Sequence, residues 1–465
     1  MTEAEPVFTG VPKSAMAGVV WPAVPGRRTA THLALLYQLE QTQWWAPERI
    51  RAWQFRQIQA LLSHAARHVP FYRERLRQAG IHPDRPIAPE AFAAIPVMTR
   101  ADIQEAGARL HARHLPHGHG PTHKVSSSGS TGRPIETMGT RVGGAMWDVF
   151  TMRDHLWHRR DLSGTLASIR GFASGKALYP EGARLPNWGA TVGSLYPTGP
   201  AVALSVMTRP EEQAEWLVRH NPDYLLTFPT ALRALARHCA DRGIALPRLK
   251  QARTLSEILT PDTRAAVRAA WGVDVADMYS ARETGYLALQ CPNHEHYHVQ
   301  AEGVYLEILD DTGAPCPPGR MGHVVVTNLH NFAMPLIRYA VGDYAEAGPP
   351  CPCGRGLPVL TRIAGRVRNM LRLPGGGRAW PFLGGQLFSW LAIIRQAQIV
   401  QRALERLDVT LVADRPLTAE EEARLRAMIT DRLGYPFEIV FAYRDQIPRG
   451  PGGTFEDFRC EIPEP

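Results

Sequence analysis

The sequence predicts an α/β protein in two parts: a large layered N-terminal domain of mixed sheets and helices, and a small α+β C-terminal lid. Three observations carry this. Short apolar runs alternate with helical runs between residues 224 and 279. The last hundred residues repeat a strand–strand–helix–strand pattern of their own. The chain has 465 residues, 45% of them apolar and 21% charged, which is enough for two or more domains of ordinary composition. The expected division is an arm over residues 1–32, a main domain over 33–365 and a mobile domain over 366–465.

Taken in order, residues 1–30 are rich in Pro, Gly and Ala without periodicity. From Leu33 to Ala79 the pattern is helical, with Trp53, Ile58, Leu61, Leu62 and Ala65 at three- and four-residue steps. Pro70 breaks that helix, and Thr99-Arg100-Ala101-Asp102 reads as a further helix start. Tyr224–Phe228, Arg253–Leu255 and Val273–Tyr279 read as strands, with helices over Ala231–Arg242 and Pro261–Trp271 between them. Val304–Leu309 and His323–Thr327 are strands around the turn Asp310-Asp311-Thr312-Gly313. In the lid, Ala397–Gln401, Val409–Val412 and Phe437–Phe441 are strands. A capping box of Thr418 and Glu421 starts a helix that stops near Gly434.

Composition excludes several classes. No apolar run reaches the ~20 residues of a membrane span. The N-terminus Met1-Thr2-Glu3-Ala4-Glu5 is acidic where a secretory signal is basic, so a cytoplasmic protein is expected. The net charge of +8 comes from scattered Arg with no basic block. That suits a small anionic ligand, and a zinc-containing nucleic-acid binder lacks its basic stripe and aromatic motif.

Residues 126–132, Ser-Ser-Ser-Gly-Ser-Thr-Gly, cannot build a core. They read either as a flexible linker or as a loop whose amides and hydroxyls converge on phosphate. The Lys-Ser/Thr ending of the common nucleotide loop is missing. Downstream, Tyr279-Ser280-Ala281-Arg282-Glu283 follows an apolar strand, where a Tyr can stack a base and a Glu can hold Mg²⁺. Arg338-Tyr339-Ala340-Val341-Gly342-Asp343 offers a carboxylate for ribose hydroxyls, and Gly365-Arg366-Val367-Arg368-Asn369 brings two Arg to the domain boundary. Read singly, each has a bland alternative, a strand end or a solvated turn.

These four segments, in this order, resemble the core motifs of the adenylate-forming (acyl-AMP) superfamily, and specifically its phenylacetate–CoA ligase-like subgroup. Leu36–Trp45 and His68–Tyr72 resemble the subgroup's N-terminal region. The resemblance spans roughly residues 33 to 460. It implies that ATP and Mg²⁺ activate a carboxylic acid as an acyl adenylate, and that a second nucleophile, usually CoA, then takes the acyl group. It implies that Ser127, Ser128, Gly129, Ser130, Thr131 and Gly132 cradle the β- and γ-phosphates. Ser256 and Glu257 would line the adenine pocket, Tyr279 would stack on adenine and Glu283 would bind Mg²⁺. Asp343 would hold the ribose, with Arg366 nearby.

Three positions depart from the family's pattern. Arg282 stands where Ser or Thr touches the α-phosphate, and Asn369 where a hinge Asp is usual. Thr454, in Ile447-Pro448-Arg449-Gly450-Pro451-Gly452-Gly453-Thr454, stands where a Lys bridges the substrate carboxylate and the α-phosphate. Losing one such transition-state contact commonly costs ~10²–10³-fold in rate. Adenylation is therefore expected to be slow, to borrow Arg282, Arg449 or Lys124 as its cation, or to be absent. In the last case the chain would only bind nucleotide or acyl adenylate, or serve one half-reaction.

Six cysteines in a cytosolic chain of this length make a disulfide framework improbable, and the close spacing of Cys351 and Cys353 suggests metal or redox use. Cys291, followed by His294, His296 and His298, precedes the strand pair, and Cys351-Pro352-Cys353 follows it. The resemblance places Cys291, His298, Cys351 and Cys353 as a Cys₃His set for Zn²⁺. His298 is preferred to His296 because it stands beside the strand opening at Val299. The histidines 111, 114, 117, 119 and 123 lack ligand spacing and read as a solvated loop. Trp188, Tyr196, Phe228, Pro229 and Tyr286 are candidate linings for an aryl or hydrophobic acid, though each also serves as ordinary core. The acceptor is left open among CoA, a carrier protein and an amine, and a homodimer is left open as the assembly.

Overall fold

The protein is described from a computed structural model covering residues 10–82, 85–126, 135–366, 369–381, 393–450 and 452–462. It forms two compact units. The first takes its residues from Met1–Ser163, Pro186–Gly199 and Met278–Ile363; the second from Gly164–Leu185, Pro200–Asp277 and Ala364–Pro465. The C-terminal hundred residues thus share a unit with the segment of alternating strands and helices, a grouping that a linear division at 365 does not express.

In the first unit, helices run over Arg27–Thr42, Pro47–His68 and Pro70–Gln78. The first begins inside the segment expected as an arm. It buries His32, Leu36 and Leu39, and Arg28 donates to Asp148 at 2.8 Å. The break at Pro70 is as expected: Val69 is extended, and Pro70 opens the next helix, where its missing N–H costs nothing. Ile58, Leu61, Leu62, Tyr72 and Leu76 pack with Leu336, Ile337 and Tyr339 in one core.

The strands of this unit are antiparallel. Val304–Leu309 pairs with Met321–Asn328, and Met321–Asn328 with Tyr339–Ala347. Tyr297–Val299 lies between Gly285–Gln290 and Val359–Arg366. Thr122–Ser126 and Glu136–Thr140 form a separate two-stranded ribbon. Arg338, with φ of +51°, donates to Glu307 at 3.1 Å and to the Ile95 carbonyl at 2.6 Å. In the Arg-Tyr motif, this arginine is therefore a buried tie.

The second unit holds a parallel sheet. Gln251–Leu255, Tyr224–Thr227, Leu166–Arg170 and Ala201–Ser205 run parallel in that order, and Ala183–Leu185 closes the edge antiparallel. The helices Pro210–His220, Pro229–Arg242 and Pro261–Trp271 each open on a proline. They end at Asn221, Gly243 and Gly272 in left-handed conformation. Trp216, Leu217, Leu232, Leu235 and Val267 cover Ala167, Ile169, Leu204 and Leu225, which accounts for the nearly continuous apolar strands.

The C-terminal segment has its own core. Ile394–Ala403 and Arg406–Ala413 are antiparallel, Glu438–Tyr443 runs parallel to the latter, and Phe458–Cys460 runs parallel to the former. The helix Ala419–Leu433 has the expected capping box and ends at Gly434 with φ of +69°. The strand Phe458–Cys460 was not legible beforehand, because three residues carry no periodicity.

Candidate active site and metal centre

Parallel strands place their carboxyl ends on one edge, and an open α/β sheet binds ligands there. In the second unit, Gly171, Val206, Phe228 and Ser256 each directly follow one of the four parallel strands. The loop from Arg449 to Phe455, which carries Thr454, sits on that edge. A Cβ added at Gly171 would lie 2.6 Å from the Gly452 carbonyl oxygen; one added at Gly453 would lie 2.8 Å from Val206 and 3.1 Å from Phe228. The loop closes on itself through Gly450 N–H to the Thr454 carbonyl, 2.8 Å, and Gly453 N–H to the Gly450 carbonyl, 2.8 Å.

Glu257, expected at the adenine pocket, is engaged by the chain. Its Oε2 accepts from Thr230 N at 2.9 Å; its Oε1 accepts from Phe455 N at 2.6 Å and lies 3.4 Å from Arg449 Nη1. The carboxylate side chain is only 4% exposed. Burial raises this carboxyl above its usual range, and Arg449 opposes the rise. Ser256, its neighbour, has φ of +66°, a left-handed conformation that is costly for a residue other than glycine. Arg449 also donates to Thr230 Oγ1 at 3.0 Å and to the Gly453 carbonyl at 3.1 Å.

The other cations considered as stand-ins for a lysine at 454 are also occupied. Lys124 pairs with Glu136 at 3.0 Å across the two-stranded ribbon. Arg282, exposed, donates to the Ser126 carbonyl at 3.3 Å, at the foot of the Ser/Gly-rich segment. Ser127, Ser128, Gly129, Ser130, Thr131 and Gly132 lie outside the described residues, as does Arg368. Asn369 donates to the Phe458 carbonyl at 2.7 Å.

In the first unit, Tyr279 lies buried near the end of the strand Asp274–Ala281, and its hydroxyl donates to Asp343 Oδ2 at 2.7 Å. Two segments far apart in sequence are brought together by one hydrogen bond. Gly342, with φ of +85°, turns the chain just before Asp343, and Asp343 is half-buried. Glu283 is half-buried two residues before the strand Gly285–Gln290, and Arg366 ends the strand Val359–Arg366.

Cysteines and histidines gather where Tyr297–Val299 lies between its two neighbours. Ligand atoms of Cys291, His296, His298 and Cys351 all lie within 4.8 Å of one another. His296 Nε2 is 2.9 Å from Cys351 Sγ, and Cys353 Sγ is 3.4 Å from His298 Nε2. Three of the four expected residues fall in this group, and His296 stands in it where Cys353 was expected. The missed signal was period two: residues 296 and 298 share a face of an extended segment. Burial pushes His298 down to about 3, so its ring is neutral at neutral pH, the form that ligates metal. Thiols and neutral imidazoles at this separation fit a structural zinc ion. Arg355 stacks between Trp44 and Trp157, at 4.7 and 4.6 Å from their ring centres, and donates to Gln43 at 2.8 Å.

Of the aromatic candidates, Tyr286 lines a cavity of about 30 Å³ with Met146, Trp147 and Phe150. The Trp147 and Tyr286 ring centres are 4.6 Å apart. Trp188 lies against His155, and Phe228 belongs to the core of the second unit. The helix Arg141–Trp157 that supplies Trp147 and Phe150 was not singled out in the sequence, because its Gly143-Gly144 pair weakens the helical signal.

Comparison with known proteins bears on this arrangement. Residues 187–334 match the AMP-binding enzyme family, and residues 386–457 match the CapK C-terminal domain. The phenylacetate–coenzyme A ligase of Thermus thermophilus is 26% identical over 450 residues, covering 87% of this chain and 95% of that protein. Over most of its length the chain is thus similar to phenylacetate–coenzyme A ligases, with an AMP-binding enzyme match over residues 187–334. A second phenylacetate–coenzyme A ligase, from Aromatoleum evansii, is 28% identical over 347 residues, covering 70% of this chain and 73% of its own. In fold, the chain resembles 2-hydroxyisobutyryl-CoA ligase in the postadenylation state. The TM-score is 0.68 at 20% identity, over 89% of this chain and 90% of that one. Among the described residues, no helix is long and apolar enough to cross a membrane.

Proposed function

We propose that the chain activates a carboxylic acid with ATP and passes the acyl group to CoA. The acid's carboxylate attacks the α-phosphorus, pyrophosphate leaves, the CoA thiol attacks the acyl carbon, and AMP leaves. The protein's part is position and charge neutralisation. The observation that carries the reading is the seat of the Arg449–Phe455 loop on the carboxyl ends of the parallel strands. The likeness to phenylacetate–coenzyme A ligases supports it.

Within this proposal, Ser127–Gly132 cradle phosphates, Asp343 holds the ribose beside Tyr279, Arg366 assists, and Glu283 carries Mg²⁺. Residues 366–465 act as a mobile lid, zinc at the Cys/His cluster is structural, and the setting is cytoplasmic. An aryl or hydrophobic acid is suggested by the aromatic side chains Trp147, Phe150 and Tyr286 themselves, not by the space between them, which at about 30 Å³ is smaller than such an acid. A carrier-protein thiol or an amine as acceptor, and a homodimer, are variants of the same proposal. Thr454 favours a second reading, in which nucleotide or acyl adenylate binds but adenylation is lost, because a hydroxyl brings no charge to the α-phosphate. The test is carboxylate-dependent pyrophosphate release across a panel of aryl and aliphatic acids, followed by detection of the CoA thioester. Nucleotide binding without pyrophosphate release from any acid decides for the second reading.

A further inference from the structure

We infer that Glu257 is a positioning residue: its carboxylate latches the Arg449–Phe455 loop onto the carboxyl edge of the parallel sheet, in the seat used for acid activation. The inference rests on the proposed acid activation for its catalytic consequence, but not for the latch itself.

The loop is held at both flanks by one helix and the turn beside it. Glu257 accepts from Thr230 N–H, in the first turn of the helix Pro229–Arg242, and from Phe455 N–H in the loop, at 2.9 and 2.6 Å. A carboxylate at a helix N-terminus is favoured there by the unsatisfied N–H groups and the helix dipole. Arg449, at the other end of the loop, reaches the same carboxylate and the Thr230 hydroxyl. Just beyond the loop, Arg233, on the same helix, donates to both carboxylate oxygens of Asp457 at 2.9 Å each. Thr454 is the residue between these clamps.

The energetics make this a latch rather than a permanent joint. When the loop leaves, Glu257 keeps Thr230 N–H but loses Phe455 N–H and Arg449, while its own position stays on the sheet edge. A buried carboxylate stripped of donors is costly, so the seated loop is favoured. To this carboxylate the loop supplies two donors, Phe455 N–H and Arg449, so its seating can be weakened at either one. A carboxylate two residues after a parallel strand is thus spent on holding the chain's own loop.

The test uses the full chain, with Glu257→Gln and Arg449→Met made separately and together. Amide hydrogen exchange of peptides covering Gly452–Asp457 should accelerate about tenfold in each single variant, the effect of losing a hydrogen bond to a charged group. The double variant should add little, because both changes remove one interaction. Single-turnover pyrophosphate release with an accepted acid should fall about tenfold, and thioester formation from supplied acyl adenylate and CoA should fall by much less. Unchanged exchange in folded variants overturns the latch. Faster exchange with both half-reactions lowered equally overturns the positioning role. Should Glu257→Gln fail to fold, Arg449→Met carries the same measurements. If the unaltered protein releases no pyrophosphate, exchange alone decides the latch, and the failure falls on the proposed activity.

Discussion

Replacing Gly171 by Ala tests the seat of the loop from the sheet side. Gly171 has no positive φ, so alanine fits its backbone, and the effect falls on the contact alone. The new Cβ would stand 2.6 Å from the Gly452 carbonyl oxygen and 3.0 Å from its carbon, both backbone atoms that no rotamer can move. Ordinary contact begins at 3.4 Å, so the loop has to withdraw by about 0.8 Å. Overpacking of this kind costs about 1–3 kcal/mol, which lowers the seated fraction by roughly 5- to 150-fold. Withdrawal by about that distance also stretches the 2.6 Å bond from Phe455 N–H to Glu257 and weakens it. The assay is single-turnover pyrophosphate release, with the melting temperature as a check on folding. A large fall in the adenylate-forming step with little change in melting is expected. An unchanged rate, together with unchanged protection of Gly452–Phe455, would refute the seat.

Other outcomes follow from the same structure. Thr454→Lys should raise pyrophosphate release by up to about 10²-fold and leave thioester formation nearly unchanged, since a cation at the α-phosphate acts in the first step; equal rates in both proteins would show that the position carries no such role. Asp343→Ala should weaken ATP binding by ~1.5–3 kcal/mol without weakening acid binding, read by titration calorimetry. One zinc per chain is expected by elemental analysis, and it should be lost in Cys351→Ser/Cys353→Ser; full zinc in that double variant removes the assignment. Glu421 is held down to about 2, first by its hydrogen bond from Arg415 and then by Thr418 N–H. Its folded pKa lies below the unfolded one, so its stabilisation of the helix Ala419–Leu433 is present above about pH 4.5 and lost as pH falls through about 2. The melting difference between the unaltered protein and Glu421→Gln should therefore shrink with acidification.

Much of the frame was legible because it is local. Pro at the first helical position and Gly or Asn at the stop mark the helices around the parallel sheet, and those residues act within one turn. Thr418 with Glu421 marks the lid helix for the same reason. Apolar runs such as Tyr224–Thr227 announce strands covered by helices. The strand Phe458–Cys460 was hidden, since its existence depends on a neighbour about sixty residues earlier, Ile399–Gln401. The helix from Arg27 was hidden because composition at the arm does not report Asp148, which anchors it.

The sequence by itself determined the residue types at each motif, their order, the capped helices and the strands between them, because propensity, capping and periodicity are properties of neighbouring residues. Tertiary structure alone decided what those residues touch. It joined Tyr279 to Asp343, drew His296 into the cysteine cluster, and turned Glu257 and Arg449 toward one loop. Such partners lie scores to hundreds of residues away in the chain, and a buried charge or thiol takes whichever partner the packing brings within reach.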